Sequence, residues 1–89
     1  MNEYVFDLYV AGHTARSRQA ARDMEEFCEQ NFPGNFFLNI IDVLDDPQRA
    51  EEEKIIATPT LVQRSPISGR RIIGVPSDQQ SLLHVLGLG

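Results

Sequence analysis

Residues 75–87 read VPSDQQSLLHVLG, and this stretch decides whether the chain ends in a helix or in a strand. Pro76 ends a preceding strand, because proline cannot donate to a sheet ladder. Ser77 and Gln80 form an S-x-x-Q capping box, in which each side chain satisfies a free backbone amide at the start of a helix. The apolar positions that follow have helical spacing: Leu82, Leu83, Val85 and Leu86. With Gly87 as the stop, the stretch predicts a C-terminal helix that begins at Ser77 and ends near Leu86.

The N-terminal half of the chain predicts a β-α-β unit. Residues 4–10 are apolar on both faces apart from Asp7, which is typical of a strand covered on two sides. Thr14 is a suitable N-cap for a helix that runs to about Asn31. The apolar stripe of this helix consists of Ala20, Met24, Phe27 and Cys28. A second strand is predicted over residues 36–43, parallel to the first.

The second half adds a short helix and two strands. Acids at the cap position and Pro47 in the first helical position predict a helix from Pro47 to about Lys54. Strands are predicted over residues 60–64 and 70–75, with a loop of hairpin length between them. The order β-α-β-α-β-β-α predicts one α/β domain over residues 1–89. Its architecture is thioredoxin-like, with a four-stranded mixed sheet and helices on both faces. Pro59 then takes the place of a proline that is often cis and precedes the third strand.

Composition and charge exclude several classes of protein. The 89 residues, with a mass of 10.0 kDa, leave room for one domain. Thirteen acidic and eight basic residues give a net charge of −5, opposite in sign to that of a compact nucleic-acid binder. The single cysteine excludes an internal disulfide, and no apolar run approaches the roughly 20 residues of a membrane span. We therefore expect a cytoplasmic protein that binds neither nucleic acid nor a membrane.

The side chains that could carry chemistry do not assemble a catalytic set. A thioredoxin-like oxidoreductase has a cysteine after its first strand, where residues 11–15 of this chain contain no sulfur. Cys28 is interpreted as a small buried hydrophobe, with a reactive thiol as the alternative. His13 is a solvated loop residue or a general base without a nucleophile, and His84 is a surface residue of the last helix. We therefore predict no catalytic residues, no cofactor and no enzyme activity.

The acidic and basic clusters are candidate binding sites. Helix capping explains the group of Asp42, Asp45 and Asp46, and a divalent-ion site is the alternative. Two histidines far apart do not make a metal site, so no metal is expected. Lys54 is accompanied by seven arginines, which form either ordinary surface charge or a patch for an acidic partner.

Four short motifs in a fixed order carry a family resemblance. They are LYVAG at residues 8–12, IDVL at 41–44, ATPTL at 57–61 and RRIIG at 70–74. The combination is specific, and further matches at Tyr4, Val5, Thr14, Pro47, Lys54 and Ser77 extend it over nearly the whole chain. In these features the sequence resembles the KaiB family of small bacterial clock proteins.

The resemblance implies a non-enzymatic regulator. KaiB proteins dock on the ATPase ring of KaiC, modulate its phosphorylation state and sequester KaiA; a clock histidine kinase is a further possible partner. The family also implies two folds. The KaiC-binding form is a thioredoxin-like monomer, whereas the resting form is a tetramer whose C-terminal half has helices followed by a strand. The first β-α-β unit is common to both.

This chain differs from the family where the two folds diverge. Clock members tend to read LIGLDLL where residues 83–89 read LHVLGLG, so Val85 replaces a glycine and Gly87 an aspartate. In a helix, valine is better than glycine by about 0.4 kcal/mol. A core-facing valine would add about 1–2 kcal/mol more if it were buried. Together with Pro76 and Ser77, these residues predict a chain held mainly as the thioredoxin-like monomer, with the tetrameric resting fold as the alternative.

The resemblance also implies a docking face. The basic positions that the family uses toward KaiC correspond to Lys54, Arg70 and Arg71, while two others fall on Asn39 and Gln63 and so lack their charge. The leading prediction is therefore a KaiC-type ATPase as partner, bound through the face that carries the three basic residues. One alternative is a KaiB-like adaptor with a different signalling or stress partner. Another is a redox-inactive thioredoxin-fold protein that binds glutathione at the turn containing Pro59.

Overall fold

A four-stranded mixed sheet lies at the centre of the protein, in a computed structural model that describes residues 3–88. Its strands are β1 (Tyr4–Val10), β2 (Phe36–Asp42), β3 (Thr60–Ser65) and β4 (Arg70–Ile73). The helices are α1 (Ala15–Asn31), α2 (Pro47–Glu52) and α3 (Gln79–Val85). The strand order is β2-β1-β3-β4, with β2 parallel to β1 and the other neighbouring pairs antiparallel. The predicted element order and thioredoxin-like fold class are confirmed.

The main core lies between one face of the sheet and helices α1 and α3. Strand residues alternate between faces, so every second residue of β1 points into this core. The buried members of the cluster are Phe6, Leu8, Val10, Ala20, Met24, Phe27, Cys28, Leu61, Leu82 and Leu86. Thr14 caps α1 as predicted, since its Oγ1 accepts a hydrogen bond from the Ser17 amide at 3.1 Å.

The C-terminal segment is helical, as predicted, but its N-cap differs from the expected one. Asp78, not Ser77, is the N-cap of α3, and its carboxylate accepts hydrogen bonds from the Gln80 amide and the Ser81 hydroxyl. The condition for a burial gain at Val85 is not met, because 40% of Val85 is exposed. The leucines at 82 and 86 bury the apolar side of the helix instead, one turn apart.

The opposite face of the sheet is thinly covered. Its small cluster consists of Tyr9, Ile41 and Val62, against which Val43 and Ile55 pack. Helix α2 has only six residues, none of them buried. The outer strands accordingly leave Phe37 and Ile73 more than half exposed on this side.

Backbone turns shorten three of the predicted elements. Strand β2 ends at Asp42, before Val43. Strand β4 ends at Ile73 because Gly74 turns away with φ +75° and donates its amide to the Pro59 carbonyl at 2.8 Å. Helix α2 ends at Glu52, since Lys54 adopts φ +56°. The Thr58–Pro59 and Ser65–Pro66 peptide bonds are both cis.

Candidate functional site

The turn after α2 holds Lys54 at the protein surface. Arg71, on β4, donates one hydrogen bond to the Glu53 carbonyl at 2.8 Å and another to the Lys54 carbonyl at 3.1 Å. The Ile55 amide donates to the Ala50 carbonyl at 2.9 Å. The left-handed conformation of Lys54 is thus fixed from the sheet on one side and from α2 on the other, while its side chain stays exposed.

A second arginine ties the same turn to the centre of the sheet. Arg64 Nε donates to Asp7 Oδ2 at 2.8 Å, and its Nη2 donates to the Tyr9 hydroxyl at 3.1 Å and to the Glu53 carboxylate. Burial lowers the pKa of Arg64, but the hydrogen bonds to Asp7 and Glu53 more than offset this and raise it above its usual value. Arg64 therefore stays charged and joins β1, β3 and the Lys54 turn.

Asp7 is a buried carboxylate at the middle of this arrangement. It is 3% exposed and also accepts hydrogen bonds from Asn39 at 2.9 Å and from Arg49 at 3.3 Å. Interpreting Arg49 and Arg64 as surface charge missed this network. The available signal was Asp7 itself, because a lone acid in an apolar strand needs cationic or amide partners once the strand is covered.

The three predicted contact residues do not share one face. Arg71 lies on the α2 side with Lys54, whereas Arg70 lies on the side of α1 and α3, because neighbouring strand residues point in opposite directions. The Arg70 guanidinium donates to the Leu86 carbonyl at the end of α3. Arg70 is therefore a cap for the last helix and is separate from the Lys54 turn.

Positions 39 and 63 are also on opposite faces of the sheet. Asn39 serves the Asp7 network, while Gln63 is 3% exposed and donates its Nε2 to the Ser65 carbonyl at 3.2 Å. Its Oε1 has no hydrogen-bond partner within residues 3–88. Gln63 is thus an interior residue of this fold, and the effect of its missing charge on partner binding stays a prediction.

An apolar groove adjoins the Lys54 turn. Its lining residues are Val43, Pro47, Ala50, Glu51, Ile55, Ile56, Ala57 and Thr58. Within this groove Ile56 is 86% exposed. The turn thus presents the exposed Lys54 side chain next to the exposed apolar side chain of Ile56.

The acidic group after β2 has structural roles. Asp42 Oδ1 accepts hydrogen bonds from the backbone amides of Gly12 at 2.9 Å and Leu44 at 3.0 Å, and these lower the pKa of Asp42 below its usual value. Asp46 caps α2 through the Arg49 amide. The part of the chain that the structure describes contains no group of three or more potential metal-ligating side chains.

The candidate nucleophile, Cys28, is buried, whereas the two candidate bases, His13 and His84, lie at the surface. Cys28 is fully buried, and burial, with smaller contributions from Glu29 and Glu25, raises the pKa of its thiol to about 12. His13 and His84 are both exposed.

Between residues 3 and 88, no helix has both the length and the apolar character needed to cross a bilayer.

Comparisons with solved structures show the fold. The germline-specific thioredoxin Deadhead of Drosophila melanogaster superposes with a TM-score of 0.73 at 15% identity, over 96% of this chain and 79% of that protein. Chloroplastic thioredoxin z gives a TM-score of 0.75 at 22% identity, over 97% and 78% of the two chains. At these identities the likeness concerns the backbone arrangement alone.

Sequence comparisons show the family. The KaiB domain model matches residues 7–88. The circadian clock oscillator protein KaiB of Trichodesmium erythraeum is 49% identical over 96% of this chain and 82% of its own length. Its namesake from Synechococcus elongatus is 47% identical, over 96% and 83% of the two chains. The resemblance found in the sequence motifs is confirmed, and the chain belongs to the KaiB family.

Proposed function

We propose that this chain is a non-enzymatic regulator of a bacterial circadian clock. It binds the ATPase ring of a KaiC-type protein, modulates the phosphorylation state of that ring and sequesters KaiA. Membership of a family whose relatives are named clock oscillator proteins supports the general role. One observation carries the proposed contact: Lys54 is exposed and held by Arg71 in a fixed turn beside an apolar groove.

The docking face that we propose consists of Lys54 and the exposed Ile56 of the adjoining groove, with Arg71 in a positioning role. The Arg71 guanidinium donates to two backbone carbonyls of the turn, so Arg71 positions the backbone from which the Lys54 side chain extends. The partner surface is acidic opposite Lys54 and apolar opposite Ile56. Because charge pairs at the rim are worth about 0.5–2 kcal/mol, loss of the Lys54 charge weakens binding by about 2- to 30-fold.

A titration with the KaiC ring from the same genome tests the proposal. Biolayer interferometry with ATP, and with phosphomimetic and non-phosphorylatable rings, compares the wild type with K54Q, I56S, R71M and the control R16Q. Arg16 is an exposed arginine on α1, away from the turn. K54Q, I56S and R71M should weaken binding, while R16Q should not. Failure of the wild type to bind any form of the ring would overturn the proposed partner.

We also propose that the chain is mainly a monomer in the thioredoxin-like fold, with Pro76, Ser77, Val85 and Gly87 as determinants of this state. Pro76 and Ser77 lie before the N-cap of α3, and Gly87 follows its C-cap. Backbone NMR shifts test the state directly. Helical shifts over residues 79–85 at micromolar concentration support the proposal, whereas strand shifts there or a dominant tetramer would contradict it.

A further inference from the structure

Four charged side chains form a stripe along the outside of α1. Arg18, Arg22, Glu25 and Glu29 are separated by four, three and four residues, a spacing that places them on one side of a helix. All four are exposed, and the buried residues of α1 lie on its other side. We call these four residues the α1 stripe.

The charges of the α1 stripe oppose the stability of the helix that carries them. The arginines occupy its N-terminal half and the glutamates its C-terminal half, whereas the helix macrodipole favours the reverse order. In addition, Arg18 and Arg22 are like charges four residues apart, as are Glu25 and Glu29, and these two destabilising pairs outnumber the one opposite pair of the stripe, Arg22 with Glu25. The pattern is therefore unfavourable for an isolated α1.

The folded chain does not compensate these charges. The three ion pairs formed within residues 3–88 join Asp7, Arg49, Arg64 and Glu53, all outside the stripe. Arg22 donates to Gln19 Oε1 at 3.0 Å and not to the glutamates in the next turn. The α1 stripe thus faces solvent, with its two arginines at one end and its two glutamates at the other.

The stripe is complementary to itself in one register. The midpoint of the stripe lies between Asp23 and Met24. Arg18 and Glu29 are equally far from this midpoint on opposite sides of it, and so are Arg22 and Glu25. A two-fold axis through that midpoint sets a second α1 antiparallel to the first. Each arginine of one copy then faces a glutamate of the other, and the two macrodipoles also run in opposite directions.

We propose that the α1 stripe is a docking surface for a second copy of this chain, which pairs through antiparallel α1 helices. The two-fold register favours a second copy over an unrelated partner, because an isologous contact requires a self-complementary patch. Exposed ion pairs are individually weak, so the dimer forms at high concentration and low salt. This surface is separate from the Lys54 turn, and the inference is independent of the proposed clock role.

Sedimentation equilibrium of charge-reversed variants tests the pairing. R18E/R22E makes the stripe wholly acidic, and E25R/E29R makes it wholly basic. Each alone should weaken self-association at least about tenfold, as should raising the salt from about 0.05 M to about 0.5 M. An equimolar mixture of the two variants should associate more tightly than the wild type. The fourfold variant R18E/R22E/E25R/E29R should regain wild-type self-association, because its stripe is again self-complementary.

The controls separate pairing from folding. R16E changes charge on α1 outside the stripe and should leave self-association within about twofold of the wild type. Far-UV circular dichroism verifies the fold of every variant. A wild type that stays monomeric at about 1 mM in low salt would overturn the proposal. So would a mixture of the two double variants that fails to associate.

Discussion

Replacing Gly87 by alanine should destabilise the protein through two separable effects. Gly87 follows the C-cap of α3 with φ +71°, a conformation that costs an L-residue about 1–2 kcal/mol. A Cβ built there lies 2.6 Å from Arg70 Nη1, the atom that donates to the Leu86 carbonyl. The guanidinium must therefore move and give up its hydrogen bond to the end of the helix.

Gly34 provides a matched control for the backbone effect. Its φ is +72°, and a Cβ added there meets nothing within 4 Å. Alanine also restricts the unfolded chain, so the net cost of G34A is about 1 kcal/mol. G87A carries the same cost plus about 1 kcal/mol for the lost charge-assisted hydrogen bond, which makes about 2 kcal/mol in total.

Urea unfolding followed by far-UV circular dichroism measures both free energies, and a double-mutant cycle isolates the second effect. In an R70M background the hydrogen bond to Leu86 is already absent, so G87A and G34A should cost the same, about 1 kcal/mol each. Equal costs for G87A and G34A in the wild-type background would refute the role of Arg70 as a helix cap. So would a G87A cost that does not change when Arg70 is replaced.

Three further outcomes follow from the contacts described above. L82A should lower the free energy of unfolding by about 3 kcal/mol, because Leu82 is fully buried, whereas V85A should cost less than about 1 kcal/mol; urea melts of both variants measure the difference. The Cys28 thiol should react with a disulfide reagent at pH 8 only when urea unfolds the chain, since burial raises its pKa to about 12; rapid reaction of the native protein would contradict this. Asp42 has a folded pKa below its unfolded one, so its carboxylate stabilises the fold above about pH 4, and this contribution disappears as the pH falls through the folded pKa. The stability gap between wild type and D42N should therefore be present at pH 7 and narrow as the pH falls below about 4.

The order of helices and strands was predictable because the local signals are strong and agree with one another. Thr14 as N-cap and Pro47 at the start of α2 are both found as predicted. The N-cap of α3 is Asp78, one residue after the predicted Ser77. Both residues are good N-caps, but a carboxylate accepts stronger hydrogen bonds than a hydroxyl. Local sequence does not choose between two neighbouring caps.

The arrangement of the basic residues was less predictable, because it depends on strand register. Arg70 and Arg71 are neighbours in a strand, so their side chains point to opposite faces of the sheet, and the sequence alone predicts this. Which of the two faces the Lys54 turn depends on the pairing of Arg71 with Val62 and of Arg70 with Gln63, a long-range property of the sheet. The burial of Asp7 among two arginines and Asn39 also arises only when three strands and α2 meet.

The helical end of the chain therefore depends on contacts that a propensity argument does not include. Replacing glycine by valine at position 85 contributes only about 0.4 kcal/mol of helix propensity, and the side chain is too exposed to add much burial. Leu82 and Leu86 bury the helix against the sheet, and Arg70 binds its last carbonyl from β4. Arg70, on the edge strand β4, donates a hydrogen bond to the Leu86 carbonyl at the end of α3. Displacing either β4 or α3 therefore breaks this bond and weakens the packing of the other element. Residues that keep β4 in place, including Arg71 at the Lys54 turn, thus stabilise α3 from the opposite face of the sheet.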